Sequence, residues 1–335
     1  MAIRGEHVVL LSAMSNEGPY VLEWLAHHFA LGCDELVIVT NSNTDNTDLI
    51  LDRLERLMPE RVKHVPNPKQ MFPDRGKWHI MALRYAGLMG RVREADWLYV
   101  TDADELLNLR GADATFDDFF DAAGEADAVA FTSIAFNSNG RVAPERGLVS
   151  EQFTETASDF AAAEARSEVQ LTAVKSLIRN RIEGARRPHR PQTPEFSKTG
   201  MRWINGSGHV MGPEWTDTND KAMNGWGSRD FGQVNHYSIK SAGEFLLKVD
   251  RGDAVHAERL GASAQYWRYA NRSGARDTSL VGLSPSARAL YDGWLADPKL
   301  AALHAESFEK REARLAQIVK TPEGERLARE IGYFG

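Results

Sequence analysis

Asp102-Ala103-Asp104-Glu105 directly follows the mostly apolar run Asp96–Thr101, DWLYVT. Side chains at i and i+2 of an extended segment point the same way, so Asp102 and Asp104 can address one object. Two adjacent carboxylates repel unless one takes up a proton, and a divalent cation removes that conflict. Mn²⁺ and Mg²⁺ favour sites of one or two carboxylates completed by water and substrate phosphates. The same residues also suit a solvated turn or a helix N-terminus, where the backbone dipole favours acids. A third chemistry is an aspartyl nucleophile at Asp102, as in phosphatases and phosphotransferases. That pattern normally sits on a first strand and continues with Thr or Val, whereas here Glu105-Leu106 follows.

Other residues could complete such a site. Glu17 stands just after the first apolar run, where a base or ribose would cross the sheet edge, or where an acid would steady the helix opening at Pro19. Asp45 reads equally as a binding residue and as a loop cap before Thr47. His236, in Val234-Asn235-His236-Tyr237, carries an imidazole suited to manganese. Of His27 and His28, the spacing turns one toward the core and the other toward solvent. Arg179, Arg181, Arg186, Arg187, His189 and Arg190 form a basic loop that suits an anion or simply a solvated surface. Trp203, Trp215, Trp226 and Tyr237 lie among glycines and suit either sugar faces or the core. If a hydroxyl must lose a proton, Asp230 and Glu214 are the candidate bases.

The elements that must position these groups are legible in the first third. His7–Met14, Glu35–Thr40, Val62–Val65 and Asp96–Thr101 are buried-strand runs, separated by helical spacing after Pro19, from Thr47 to Leu57 and from Lys77 to Leu88. That alternation predicts βαβ units and a mostly parallel, Rossmann-like sheet flanked by helices, with ligands at the carboxyl ends of the strands. Further on, a helix is expected near Phe116–Ala123, strands at Ala128–Phe136 and Ala173–Arg179, and a helix over residues 150–168. The last hundred residues predict helices at Ser241–Asp250, Ser263–Ala270, Ser284–Ala296 and Leu300–Ile318.

The 335 residues suffice for a large α/β core, and 42% hydrophobic with 26% charged residues is ordinary for a globular chain. A net charge of −7 argues against a nucleic-acid binder working through a broad basic face. The lone Cys33 excludes an internal disulfide framework and fits a reducing compartment. No run approaches the ~20 apolar residues of a membrane span, so the expected location is cytoplasmic, with peripheral membrane association open. No Gly-x-Gly-x-x-Gly follows the first strand, which speaks against a nicotinamide enzyme.

Several segments together resemble a known family. They are Asn16-Glu17 through Glu23-Trp24 to His27-His28, then Asn43-Thr44-Asp45-Asn46-Thr47, then Asp102-Ala103-Asp104-Glu105. Val174-Lys175-Ser176, His189-Arg190-Pro191 and Asn235-His236-Tyr237 through Lys248 follow in the same order. The set resembles the family 2-like glycosyltransferases related to family 92; the Asn43 segment is a compressed version of the family's. The resemblance implies a GT-A fold, a UDP- or GDP-sugar donor, inversion at the anomeric carbon and a glycan or lipid-linked acceptor. It implies Asp104 as main metal ligand, His236 as a late one, and Asp102 on the ribose or the metal's waters. Glu17, Asn43 and Asp45 would hold the donor, with Lys175 and His189 at further donor positions. The expected organisation is a nucleotide-sugar half (1–110), an acceptor half (111–240) and a helical C-terminal region (241–335) suited to self-association. A non-catalytic carbohydrate-binding protein on the same fold is the non-enzymatic alternative.

Overall fold

The computed structural model describes residues 3–66, 78–166, 171–182, 184, 186–191, 195–218, 220, 222–225, 227–252 and 260–335. The chain begins β1 (Val8–Met14), α1 (Val21–Ala30), β2 (Glu35–Thr40), α2 (Thr47–Leu57), β3 (Val62–Pro66), α3 (Trp78–Ala86), α4 (Gly90–Arg93) and β4 (Trp97–Val100). It continues with β5 (Glu105–Leu109), α5 (Phe116–Ala123), β6 (Ala128–Ala135), α6 (Val149–Gln152), α7 (Phe160–Ala165), β7 (Leu171–Arg179), β8 (Trp203–Asn205), α8 (Pro213–Thr216), β9 (Ala222–Asn224) and β10 (Gly232–His236). Helices α9 (Ala242–Asp250), α10 (Leu260–Ala270), α11 (Pro285–Leu295), α12 (Pro298–Ile318) and α13 (Pro322–Glu330) close it.

The strands form one curled sheet in the order β3-β2-β1-β4-β7-β6-β10-β5, with β8 beside β6 and β9 beside β7. β3, β2, β1 and β4 are mutually parallel, as apolar runs joined by helices require. Beyond β4 the sheet is mixed, because β7 runs antiparallel to both β4 and β6, and β5 antiparallel to β10. Every residue of β1 is buried. One core fills the face under α1, α5 and α11, a second the opposite face under α3, and a third joins α9, α10, α12 and α13 around Phe245, Trp267, Leu315 and Leu327. This is the expected α/β architecture of GT-A type with a helical C-terminal region.

Two local expectations are corrected. The helix anticipated over residues 150–168 is two short helices, α6 and α7. Between them Glu155 and Thr156 bridge to Arg276 and Phe136, so extended pairing interrupts the run. The expectation that one of His27 and His28 faces solvent also fails. Both are buried, because α1 lies between the sheet and α11, and Val21 through Phe29 is covered on all sides.

Burial of imidazole has a consequence for stability. Desolvation pulls His27 down to about 4 against the hydrogen bond to the Leu107 carbonyl, and likewise pulls His304, stacked on Phe308, to about 4. An unfolded histidine takes its proton near pH 6.5. Between about pH 6.5 and 4 the unfolded state therefore binds more protons, and stability falls as pH drops through that window. His64, raised by Asp48 and Asp52 despite its burial, works in the opposite sense. A single-residue comparison separates them: between pH 7.5 and 5 the wild type should lose about 2 kcal/mol more than His304→Phe. Urea unfolding at the two pH values measures this, and equal losses would refute the assignment.

Candidate functional site

The Asp102–Asp104 turn joins β4 to β5 and is held from several directions. Glu105 accepts hydrogen bonds from Thr101 Oγ1 (2.9 Å) and from the Asp102 amide (3.0 Å). Trp24 Nε1 donates to the Asp102 carbonyl (3.0 Å), and the Tyr237 amide to the Asp104 carbonyl (2.8 Å). β10 pairs with β5 in the register that sets His236 opposite Glu105. That pairing delivers His236 to Asp104.

Each aspartate has one oxygen on a lysine and the other toward a histidine. Asp102 Oδ2 lies 2.7 Å from Lys175 Nζ and its Oδ1 3.8 Å from His79 Nε2. Asp104 Oδ2 lies 2.9 Å from Lys248 Nζ and its Oδ1 3.6 Å from His236 Nε2. Burial opposes ionisation of Asp104, but Lys248 and His236 hold its carboxyl well below the usual range. Lys175 and His79 likewise outweigh burial at Asp102. Both are carboxylates at neutral pH.

Asp104 and His236 fit a divalent ion. Their 3.6 Å separation is too long for a hydrogen bond and within the span of two ligands each about 2.1 Å from one hard cation. Among the described residues no group of three or more His, Cys, Asp or Glu is arranged to hold a metal. The chain would thus supply two ligands, with substrate oxygens and water completing the shell. Asp102 is turned to Lys175 rather than grouped with them.

A cavity of about 600 Å³ opens beside Asp104, sharing Lys248 in its wall. Its floor is the loops after β1 and β2, and its far side is α9 and α12. The loops are cross-stapled. Asn43 Oδ1 accepts from the Asn16 amide (2.6 Å), and Asn16 Oδ1 from the Thr44 amide (2.7 Å). Asp45 accepts from the Gly18 amide (2.9 Å) and caps Thr47 (2.8 Å). α12 packs so closely that a Cβ on Gly18 would sit 2.9 Å from Ser307 Cβ. Asn16, Ser42 and Lys240, all in the cavity wall, have positive φ of 55°, 50° and 51°, a strained conformation for residues with a Cβ that tends to mark functional sites.

Six basic and four acidic side chains line the cavity. Five of the six cations pair with a carboxylate: Lys248 with Asp104, Arg251 with Glu17 (2.5 Å), Lys310 with Glu306 (3.1 Å), Arg311 with Glu244 (3.3 Å) and Arg314 with Asp250 (2.8 Å). Glu244 also closes the capping box that starts α9 and accepts from the Tyr20 hydroxyl, so one carboxylate ties α1, α9 and α12 together.

The expected site residues divide accordingly. Glu17 and Asp45 line the cavity, and Asn43 braces its loop from outside. Lys175, expected on the donor, is buried beneath the turn between Asp102 and Glu105 (3.0 Å) and positions them instead. His189 lies away from the cavity wall, where its carbonyl accepts from Ser176 Oγ. Arg190 is buried over Trp203, donating to the Trp215 and Thr216 carbonyls, while Arg179 and Arg181 pair with Glu6 and Asp127. Most of the basic loop is therefore structural. Trp203 and Tyr237 are core residues, and Trp226 lies outside the described residues. Glu214 and Asp230 are exposed and outside the cavity wall. Sequence reasoning missed His79, Lys240, Arg251 and the basic face of α12. Arg314 lies three and four positions after Arg311 and Lys310 on one helix, and that spacing was the available signal.

Residues 12–183, just over half of the chain, match glycosyltransferase family 92. The chain belongs to that family. Membership carries the enzyme class, glycosyl transfer, and sets aside the phosphatase reading of Asp102. Among solved structures, S. aureus TarS 1–349 in complex with UDP is 15% identical with a TM-score of 0.32, covering 78% of this chain and 70% of that one. The WbbM bifunctional glycosyltransferase in its apo form is 11% identical (TM-score 0.26) over 39% of this chain and 24% of that one. The S. cerevisiae mannosyltransferase Ktr4p is 9% identical (TM-score 0.24), covering 40% and 41%. No curated protein matches the sequence. Among the described residues no helix is long and apolar enough to cross a membrane.

Proposed function

We propose that this family 92 member transfers a hexose-type sugar from a UDP- or GDP-sugar, with inversion, to a glycan or lipid-linked acceptor, using Mn²⁺ or Mg²⁺. The supporting observation is the basic cavity at the carboxyl ends of β1 and β2, joined to Asp104 through Lys248. In this reading the β1–α1 and β2–α2 loops hold the nucleoside, with Glu17 set by Arg251 and Asp45 fixing the loop pair. Asp104 and His236 hold the cation, and Asp102, oriented by Lys175, meets its waters or the ribose. When bound, that ion stabilises negative charge on the departing diphosphate. The base is assigned to the carboxylates of the Glu214–Asp230 region, with Asp230 and Glu214 the leading candidates. Residues 1–110, 111–240 and 241–335 are then donor half, acceptor half and a helical cover whose α12 completes the donor cavity.

A thermal-shift screen of nucleotide sugars with and without Mn²⁺ tests this. A ligand that binds only the folded state at 100 times its Kd adds about 2.7 kcal/mol of stability. One UDP- or GDP-sugar should raise the melting temperature more with Mn²⁺ than without it, and that metal-dependent increment should vanish in Asp104→Ala. A metal-dependent increment that survives that substitution, or a screen with no shift at all, removes the basis for the reading.

A further inference from the structure

Lys240 differs from every other cation in the cavity wall. It is only 8% exposed, sits in left-handed backbone at φ 51° and lines the cavity. Its ammonium lies 4.7 Å from the centroid of the Tyr20 ring. The five neighbouring cations are each ion-paired with an acid; among the described residues Lys240 makes no such ion pair, though its charge reaches Asp104, which Lys248 and His236 already engage. A largely buried ammonium with no carboxylate in ion-pairing contact is unfavourable in the ligand-free protein. A ring face compensates only in part. The backbone just before α9 is strained so as to hold the charge there.

We propose that Lys240 binds the diphosphate of the nucleotide donor and product directly, through an ammonium–phosphate contact that does not require the divalent cation. This rests on reading the cavity as the donor site and adds to it a residue no acidic motif would reveal. Asp104 and His236 address the diphosphate through an ion, and Lys240 addresses it from the α9 side without one. Its role is to hold the phosphates, including those of the leaving nucleoside diphosphate.

The test is calorimetric titration of the full chain with inorganic pyrophosphate, UDP, GDP, uridine and guanosine in EDTA, for wild type, Lys240→Gln and Lys240→Arg. A charge-assisted contact of this kind corresponds to about tenfold to a hundredfold in affinity. Lys240→Gln should weaken pyrophosphate and the bound nucleoside diphosphate by that factor and leave the nucleoside unchanged, while Lys240→Arg retains most of the binding. Ligand-free Lys240→Gln should melt at or above the wild-type temperature, because a buried charge has been removed. Equal pyrophosphate affinity in wild type and Lys240→Gln, no pyrophosphate binding by the wild type in EDTA, or a parallel loss of nucleoside binding and melting temperature would each overturn the proposal. The two readings fail separately. Donor turnover with unchanged Lys240→Gln affinity sinks only this inference, and Lys240-dependent pyrophosphate binding without turnover of any nucleotide sugar sinks only the transferase mechanism.

Discussion

Asp104→Asn is expected to lower kcat by about a thousandfold while the protein folds normally. The side chain is 12% exposed, faces His236 and Lys248, and is kept ionised by them against its burial. Asparagine retains the shape and an acceptor for Lys248, which keeps its second partner, the Ser238 carbonyl at 2.7 Å. The lost element is the negative charge. A carboxylate that holds a Lewis-acidic ion contributes several kcal/mol of charge stabilisation as the leaving group departs, and about 4 kcal/mol corresponds to about 10³ in rate. Steady-state kinetics with excess Mn²⁺ measures it. With the nucleoside held, as proposed, by the β1–α1 and β2–α2 loops, its affinity should change little. A variant with kcat within tenfold of wild type would show that Asp104 is not at the reacting centre.

Lys175→Met is expected to be the most damaging single change to stability, at about 3–5 kcal/mol, the usual cost of removing one partner of a buried ion pair. Lys175 is 1% exposed on β7 and bridges Asp102 at 2.7 Å and Glu105 at 3.0 Å, with Glu105 itself 3% exposed. Burial opposes charge on the ammonium, but the two carboxylates outweigh it and hold its pKa above the ordinary value; at Glu105 burial wins, pushing the carboxyl up. Methionine fills the space and leaves both acids without their cation. The double variant Lys175→Met/Glu105→Gln should recover part of the loss, since the orphaned carboxylate is removed as well. Urea unfolding of the single and double variants decides the matter. A single-variant loss below about 1 kcal/mol, or no recovery in the double variant, would show that the triad is not a coupled unit.

The difference between these two residues traces how much of the site local sequence could reveal. Asp102 and Asp104 are conspicuous because strand periodicity and an i, i+2 spacing aim both at one place, a relation that needs only neighbouring residues. Lys175 lies in another apolar strand run, and its sequence context resembles that of a surface-reaching binding residue. Only the antiparallel insertion of β7 between β4 and β6 buries it beneath the turn.

The sequence by itself determined the parallel β3-β2-β1-β4 layer, the acidic turn at its edge and the helix starts at Thr115 and Ser241, whose capping boxes form as side chain and backbone three residues apart dictate. The acidic turn and the helix starts depend on contacts between near neighbours, and the parallel layer on apolar runs joined by helices, which restrict how successive strands can pair. Tertiary structure alone decided that β10 returns beside β5 to set His236 against Asp104. It alone decided that α12 folds back across the first two loops, with Ser307 against Gly18 and Arg311 against Glu244 and Tyr20. Those pairings join residues 67 to 291 positions apart. Strand register and helix docking are chosen by the fit of whole buried surfaces, and no local spacing records that choice.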